Sequence, residues 1–411
     1  MIPDGSIVLT NIGELVTNDP HHGGLLGLVH GGALAIMDGA IEWVGAADDL
    51  PSEYRDLRAL DCEGRVVTPG FVDAHTHAVF AGERSAEFAH RLAGWSYESI
   101  LADGGGIHAT VGATRTASFV DLIGQSLPRL SHMARSGTTT VEVKTGYGLD
   151  VETEAGMAAA IRALDMALPI DLVATYLGAH VVPTEYLHDR SAYIELVTGD
   201  MLDAVAGDVA FIDVFCDPVA FDVDEARSIV SAGAARGLGV RIHADQTARI
   251  GATALAAEVG AASADHLDHA SDADLEMLAE AGTTGVVLPA VAYSMRLQPT
   301  DARRIWDSGV TVAVATDCNP GTSWIETMPF VISLAVVDGG LTPDEAVWAA
   351  TRGGALSLGR TDIGIVTPGA LGDLVLVDAP TVAHLAYRPD SDLVAHVVKR
   401  GRLIDEGTSV A

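Results

Sequence analysis

Eight short apolar runs recur along the middle of this chain, nearly all followed by a helical stretch, and that alternation limits the fold more than any other feature. The runs span residues 70–77, 138–147, 171–180, 211–217, 240–245, 262–268, 283–290 and 311–319. Strands buried on both faces read as near-continuous apolar segments, and parallel neighbours need a helix-length crossover between them. Amphipathic patterning falls over residues 118–135, 151–168, 223–236, 251–259, 272–281 and 302–308, with a less regular stretch over 186–206. This pattern predicts an α/β fold, a parallel (β/α)8 or TIM barrel. Helices are expected over 324–337 and 343–358, after the eighth run.

The two ends of the chain differ from the middle. Ser6 to Thr10, and ALAIMDGAIEWVGA with its Asp38-Gly39 turn, read as strands and a hairpin. GALGDLVLVDAP and LVAHVVKRGRLID near the other end have the same character. Neither β fragment can bury its face alone, so both are expected to join in one small β-sandwich, residues 1–67 with 360–411, around a barrel over 68–359. Residues 78–117 are too many and too polar for an ordinary βα connection. They carry the Gly104-Gly105-Gly106 run and are expected to form a substrate loop at the barrel mouth.

Composition excludes several functions. Fifty-six acidic against 24 basic residues give a net charge of −32 over 411 residues, and Lys144 and Lys399 are the only lysines. Such a surface repels nucleic acid and anionic membrane. No run approaches the roughly 20 apolar residues of a membrane span, and the first residues lack a secretion signal. Cys62, Cys216 and Cys318 are few and odd in number, as expected of a reduced cytoplasmic protein without a disulfide framework. A small-molecule substrate and a homodimer are expected.

The chemistry lies at the ends of the runs. In TPGFVDAHTHAVFAGER, His75 and His77 are spaced i, i+2, so a strand leading into them aims both imidazoles at one point. The fifth run ends near His243, the sixth near His266 and the eighth near Asp317. In a barrel all eight carboxyl ends converge on one mouth. Any one of these residues alone could be a cap or a satisfied core polar group. Together, His75, His77, His243 and Asp317 suit one zinc or iron(III) ion per subunit, with a position left for water whose pKa would fall towards about 7. Asp317 could then accept the water's proton and pass it to a leaving nitrogen. His266 either orients the nucleophile, stabilises charge on the attacked carbonyl, or is an outer hydrogen-bond partner of Asp317.

This arrangement resembles the amidohydrolase superfamily, whose binuclear members carry a carboxylated lysine at the end of strand four. Here that strand ends Val214, Phe215, Cys216, Asp217, so one metal is expected. Lys144 ends strand two and reads as a partner for nearby acids. Within the superfamily the stretches HTHAVFAGERSAEF, SYESILADGGGIHATVGATR, TTTVEVKTGYGL, LGAHVVPTEY, HADQ, SADHLDH and TDCNPGTSW resemble the imidazolonepropionase family. That resemblance implies hydrolysis of 4-imidazolone-5-propanoate to N-formimino-L-glutamate. It also implies that Arg84, Tyr147 and His180 hold substrate, and that Gln246, Asn319, Gly321 and Thr322 contact substrate or product.

Elementary chemistry agrees at several of these positions. A propionate tail needs a cation, and Arg84 offers a planar fork for a carboxylate. Tyr147 and His180 end strands two and three and so face the mouth. Glutamine at 246 cannot titrate, which favours ring opening over the proton relay of a deaminase. Asn319-Pro320-Gly321 makes a tight turn whose backbone N–H groups either bind a second carboxylate or serve the turn alone. The alternatives are a heterocycle aminohydrolase and a non-catalytic relative used for protein interaction.

Overall fold

The computed structural model describes residues 5–95, 99–100 and 104–404. Two sheets organise it. One contains the eight parallel strands of a barrel: Phe71–Asp73, Thr138–Lys144, Asp171–Ala179, Phe211–Cys216, Gly239–Ala244, Ser263–His266, Thr284–Val287 and Val312–Val314. Every strand falls inside one of the eight apolar runs, or starts one residue before it. The first and eighth strands meet at their carboxyl ends. Thr76 bridges Cys318, the Asp317 amide donates to the His75 carbonyl at 3.0 Å, and the His77 amide donates to the Cys318 carbonyl at 2.9 Å. The Asp73 carboxylate accepts from the Thr316 amide and hydroxyl at 3.0 and 2.6 Å, tying the same seam below. Closure thus happens where the histidine pair and Asp317 sit.

Several helices between strands start at side chains that suit a helix N-terminus. Ser118 caps Phe119–Arg135, Asp150 caps Val151–Ala167, and Asp222 with Glu225 and Ser271 with Asp274 form capping boxes on Val223–Ala234 and Asp272–Ala281. The irregular stretch after the third strand resolves into two short helices, Arg190–Thr198 and Asp200–Val205.

Three segments differ from the sequence reading. Residues 78–117 are not only loop: helices Ser85–Leu92 and Ile107–Thr116 lie in them. Their charged and small residues weaken the apolar period, which is why the sequence reads as loop; of this region, 96–98 and 101–103 lie outside the described residues. The helix expected from 324 begins at Met328, because Pro329 has no N–H to give and fits only in a first turn. The helix expected over 343–358 widens into a π turn at Ala349–Gly353. There Gly353 and Gly354 lie so close to the first and eighth strands that a Cβ would come within 2.1 Å of the Val312 carbonyl oxygen and 2.6 Å of that of Val72.

The second sheet draws on both ends of the chain. Its order is Arg402–Leu403, Val394–Lys399, Leu374–Val377, Val66–Pro69, Ile7–Leu15, Val29–Met37 and Ala40–Ala46, with Ala59–Asp61 also paired to Ile7–Leu15. Asp38 and Gly39, at φ +50° and +86°, make the hairpin turn the sequence predicts. Its core includes Ile7, Leu9, Leu34, Ile36, Val67, Leu374 and Val398, so residues from both ends share one buried face. Lys399 docks it on the barrel, donating to the Thr139 carbonyl at 3.0 Å and to Asp171 and Asp373 at 2.9 and 2.7 Å. Among the described residues no helix is long and apolar enough to cross a membrane.

Candidate metal centre and substrate cavity

The carboxyl ends of the strands enclose a cavity of about 280 Å³ lined by His77, His243, His266, Asp317, Tyr147, His180, Gln246, Arg84, Asn319, Gly321 and Thr322. The cavity therefore gathers eleven of the twelve residues singled out from sequence. The twelfth, His75, is fully buried just beneath it, its ring 4.6 Å from that of His243 and 5.5 Å from those of His77 and His266.

Backbone bends aim several of these side chains. His266, Leu267 and Asp317 have φ of +78°, +65° and +48°, conformations that cost non-glycine residues about 1–3 kcal/mol each. Each sits where a strand stops and the chain turns outward. The bends are held by neighbours rather than by local preference: Asp317 is pinned by the seam with His75.

Three of the distances between these donor atoms suit ligands of a shared metal ion. Nε2 of His77 lies 3.4 Å from Nε2 of His243, and Oδ1 of Asp317 lies 3.5 Å from Nε2 of His77 and 3.6 Å from Nε2 of His75. Four donors about 2.1 Å from one tetrahedral ion stand roughly 3.4 Å apart. His75 Nε2 and Asp317 Oδ1 are buried without a hydrogen-bond partner, an arrangement that a cation between them would satisfy. His75, His77 and His243 can hold a metal ion as a group, as can His75, His266 and Asp317. Burial drives the proton affinity of His75, His77 and His266 well below the usual imidazole range, helped by Lys144 at His75, His180 at His77 and His243 at His266. Neutral imidazoles are the form that ligates. Burial also pushes the Asp317 carboxyl up to about 7; a cation beside it would bring it down.

Beneath these donors lies a layer of buried charge. Asp265 accepts from Nδ1 of His75 at 2.7 Å, and Asp213 lies 3.1 Å from Nδ1 of His243. These contacts leave the Nε2 lone pairs of both rings facing the site, the usual arrangement behind a ligating histidine. Lys144 stands 2.8 Å from both Glu142 and Asp213 and 3.7 Å from Asp265, so it is an ion-pair hub, as its position on strand two suggested. Arg241 donates to the Ala74 carbonyl at 2.7 Å and to Asp265 at 3.3 Å. All five charged side chains are fully buried. Burial raises the carboxyl groups of Asp213 and Asp265, but the charges around them outweigh it: His243 and Lys144 at Asp213, Arg241 and Lys144 at Asp265. Both end below the ordinary range. The sequence reading missed all but Lys144. A signal was present: Glu142 with Lys144 and Arg241 with His243 repeat at period two inside apolar strands, the inward period of a barrel.

Beside the donors stand side chains carried just beyond the second and third strands. His180 stacks on His77, ring centres 5.0 Å apart, and its Nδ1 lies 3.0 Å from the Gly146 carbonyl. A carbonyl only accepts, so Nδ1 carries the proton and Nε2 is left as an acceptor. Burial and the nearby His243 hold the His180 pKa at about 3. Burial likewise pushes the Tyr147 phenol up, so it remains a donor. The loop carrying Tyr147 is fixed by buried Glu154, which accepts from the amides of Gly146, Gly148 and Leu149. The Gln246 side chain makes no hydrogen bond within the described residues.

Two expectations meet a different arrangement. The amides of Gly321 and Thr322 both donate to Asn319 Oδ1 at 2.8 Å, so these two N–H groups serve the turn itself. The Arg84 fork is engaged by Glu87, Nε to Oε2 at 2.8 Å and Nη2 to Oε1 at 2.5 Å. Its Nη1 packs against Gly321, where a Cβ would come within 2.4 Å. Arg91, not singled out from sequence, lines the same cavity.

Comparison with known proteins fits this geometry. Residues 66–404 match the model of the amidohydrolase family. An imidazolonepropionase of Streptomyces avermitilis is 48% identical over 97% of this chain and 97% of its own. One of Mycolicibacterium smegmatis is 48% identical over 97% of this chain and 98% of its own. The chain belongs to the imidazolonepropionase family of amidohydrolases. Among solved structures, a triazine hydrolase variant superposes with a TM-score of 0.79 at 18% identity, covering 97% of this chain and 94% of that one. A zinc-bound adenosine deaminase of Xanthomonas campestris gives 0.73 at 19%, covering 97% and 92%. At such identities the likeness speaks for the fold, which this imidazolonepropionase family member shares with them.

Proposed function

We infer that this chain hydrolyses the cyclic amide of 4-imidazolone-5-propanoate: water adds to the ring carbonyl, the ring C–N bond breaks, and N-formimino-L-glutamate leaves. The observation that carries the reading is near-full-length identity of 48% to imidazolonepropionases. The cavity supports it, with His75, His77 and His243 grouped as metal-capable donors, Asp317 beside His75 and His77, and two guanidinium groups in the lining.

His75, His77, His243 and Asp317 would hold one zinc or iron(III) ion. Such an ion supplies Lewis acidity that makes water a nucleophile near neutral pH. Asp317 takes the proton of the attacking water and returns it to the ring nitrogen as the C–N bond breaks, leaving a carboxylate where the carbonyl was. His266, neutral and beside Asp317, donates a hydrogen bond to the carbonyl oxygen as charge develops there. His180 Nε2 accepts from the ring and the Tyr147 hydroxyl donates to the substrate. Gln246 hydrogen-bonds the ring without titrating, which suits a reaction whose proton is carried by Asp317. Arg84, Asn319, Gly321 and Thr322 form the wall that receives the propionate side.

The test is an ultraviolet assay for loss of imidazolonepropionate on the purified chain, with product and metal measured on the same sample. One N-formiminoglutamate per substrate, without ammonia and with about one zinc or iron per chain, is expected. Ammonia release with the ring intact would overturn the reading in favour of an aminohydrolase.

A further inference from the structure

Tyr147 and His180 reach the cavity from loops after different strands, yet their rings stand side by side, centres 5.4 Å apart. One stretch of backbone governs both. The planar peptide between Gly146 and Tyr147 presents its carbonyl to His180 Nδ1 at 3.0 Å and leads directly into Tyr147. The amides on either side of that peptide, those of Gly146 and Gly148, donate to the carboxylate of Glu154, Gly146 at 3.1 and 3.0 Å to its two oxygens and Gly148 at 2.7 Å. Only glycine fits at 146: φ is +100°, and a Cβ would come within 2.7 Å of the Leu177 carbonyl oxygen and 3.2 Å of His180 Nδ1.

Glu154 lies on the helix Val151–Ala167, is fully buried, and also takes the Leu149 amide at 2.9 Å. Burying a carboxylate is costly unless its lone pairs are filled, and here the amides of one loop fill them. The other edge of the loop is held by Arg115, whose Nε and Nη2 donate to the carbonyls of Gly148 and Leu149 at 2.6 and 3.1 Å. Neither Glu154 nor Arg115 lines the cavity. Gly148 and Leu149 are thus held on both edges by side chains remote from substrate. At Gly146 the arrangement differs, because the group on its carbonyl is His180, a cavity residue.

We propose that Glu154 is a positioning residue for substrate binding: by holding the amides on either side of the Gly146–Tyr147 peptide, it aims the carbonyl that keeps the His180 proton on Nδ1, and with it the Tyr147 side chain. Glu154 itself touches no substrate. What it sets is the polarity of the site, an acceptor at His180 Nε2 beside a donor at the Tyr147 hydroxyl. That pattern fits a ring N–H next to an acceptor atom of the same heterocycle. With the carbonyl turned away, the neutral imidazole is free to carry its proton on Nε2, where it would meet the substrate's N–H as a second donor. This rests on the hydrolase reading above and adds a residue that the reading does not use.

The experiment uses the full chain. KM and kcat for imidazolonepropionate are measured for the native protein, Glu154→Ala and Glu154→Gln, and for the Tyr147→Phe/His180→Ala chain with and without Glu154→Ala. The His180 ring nitrogens are followed by NMR on protein carrying isotope-labelled histidine, with the signals assigned by their loss in His180→Ala. Native His180 should carry its proton on Nδ1 alone. Glu154→Ala should mix the two tautomers and raise KM about ten- to a hundredfold, the span of two hydrogen bonds to substrate, with kcat within a few fold. Glu154→Gln keeps one acceptor oxygen and should move both readouts the same way by less. In the Tyr147→Phe/His180→Ala chain, Glu154→Ala should change KM by less than about twofold, because a residue that acts through others has no effect once they are gone. A KM increase there as large as in the native chain would mean that Glu154 only supports the fold, and overturns the proposal. Native His180 protonated on Nε2, or an unchanged tautomer in Glu154→Ala, overturns it as well. If Glu154→Ala does not fold, Glu154→Gln replaces it in both backgrounds and is judged on the same two readouts. The tautomer is read without substrate, so a native chain that fails to turn over imidazolonepropionate sinks the hydrolase reading while the NMR result still decides the role of Glu154.

Discussion

The two ends of the catalytic cavity are built in contrasting ways. The floor, with His75, His77, His243, His266 and Asp317, stands on barrel strands or within four residues of their ends and is backed by five fully buried charged side chains. The far wall, with Arg84, Glu87, Arg91 and the turn Asn319–Thr322, stands on loops and one short helix, and its groups mostly hold one another. A strand end that is hydrogen-bonded on both sides cannot move without breaking the barrel. The wall can be altered one contact at a time. Reaction chemistry and substrate selection thus occupy parts of the fold with different stiffness, and substitutions in each should fail in different ways.

The largest effect is expected at the floor. Asp317→Asn should cut kcat by at least about 10²–10⁴ with little change in KM; activity within tenfold of native would remove Asp317 from the proton path. Lys144→Met comes next and should act on stability. It strips the cation from two fully buried carboxylates, a loss of about 3–5 kcal/mol. Urea unfolding with an unshifted midpoint would mean that the buried charges do not stiffen the floor. Asp265→Ala removes the acceptor behind His75 and should weaken metal affinity about 10–100-fold, read as release of zinc to a chelator. Retention equal to native would separate the buried layer from the metal donors.

The smallest effect is expected at the wall. Gly321→Ala places a methyl against Arg84 Nη1, the end of a flexible side chain that can shift. A rise in KM of several fold is expected, with kcat and thermal stability close to native. A large loss of kcat would show that wall and floor are coupled more tightly than the comparison implies.

Much of the floor was legible in the sequence. Period-two spacing put His75 and His77 on one side, and the barrel rule brought His243, His266 and Asp317 to the same mouth. The closing seam was not legible, because it depends on strands one and eight meeting across more than 240 residues of chain. Nor were the left-handed bends at His266 and Asp317: aspartate and histidine visit φ > 0 more often than most residues, but only packing at the strand ends selects that conformation here. The wall was misread where polar composition concealed a helix: Ser85–Leu92, with Arg84 as its N-cap, carries Glu87 and Arg91, but residues 78–117 as a whole read as loop.

What the sequence determined by itself was periodicity and residue chemistry: eight inward strands, two terminal fragments that must pair, and a set of metal-capable side chains at strand ends. Only the tertiary structure decided who partners whom. A guanidinium or an amide carries the same donors in any sequence, and whether a neighbour has already claimed them depends on packing between distant segments. Glu87 takes the Arg84 fork and Asn319 takes the turn amides.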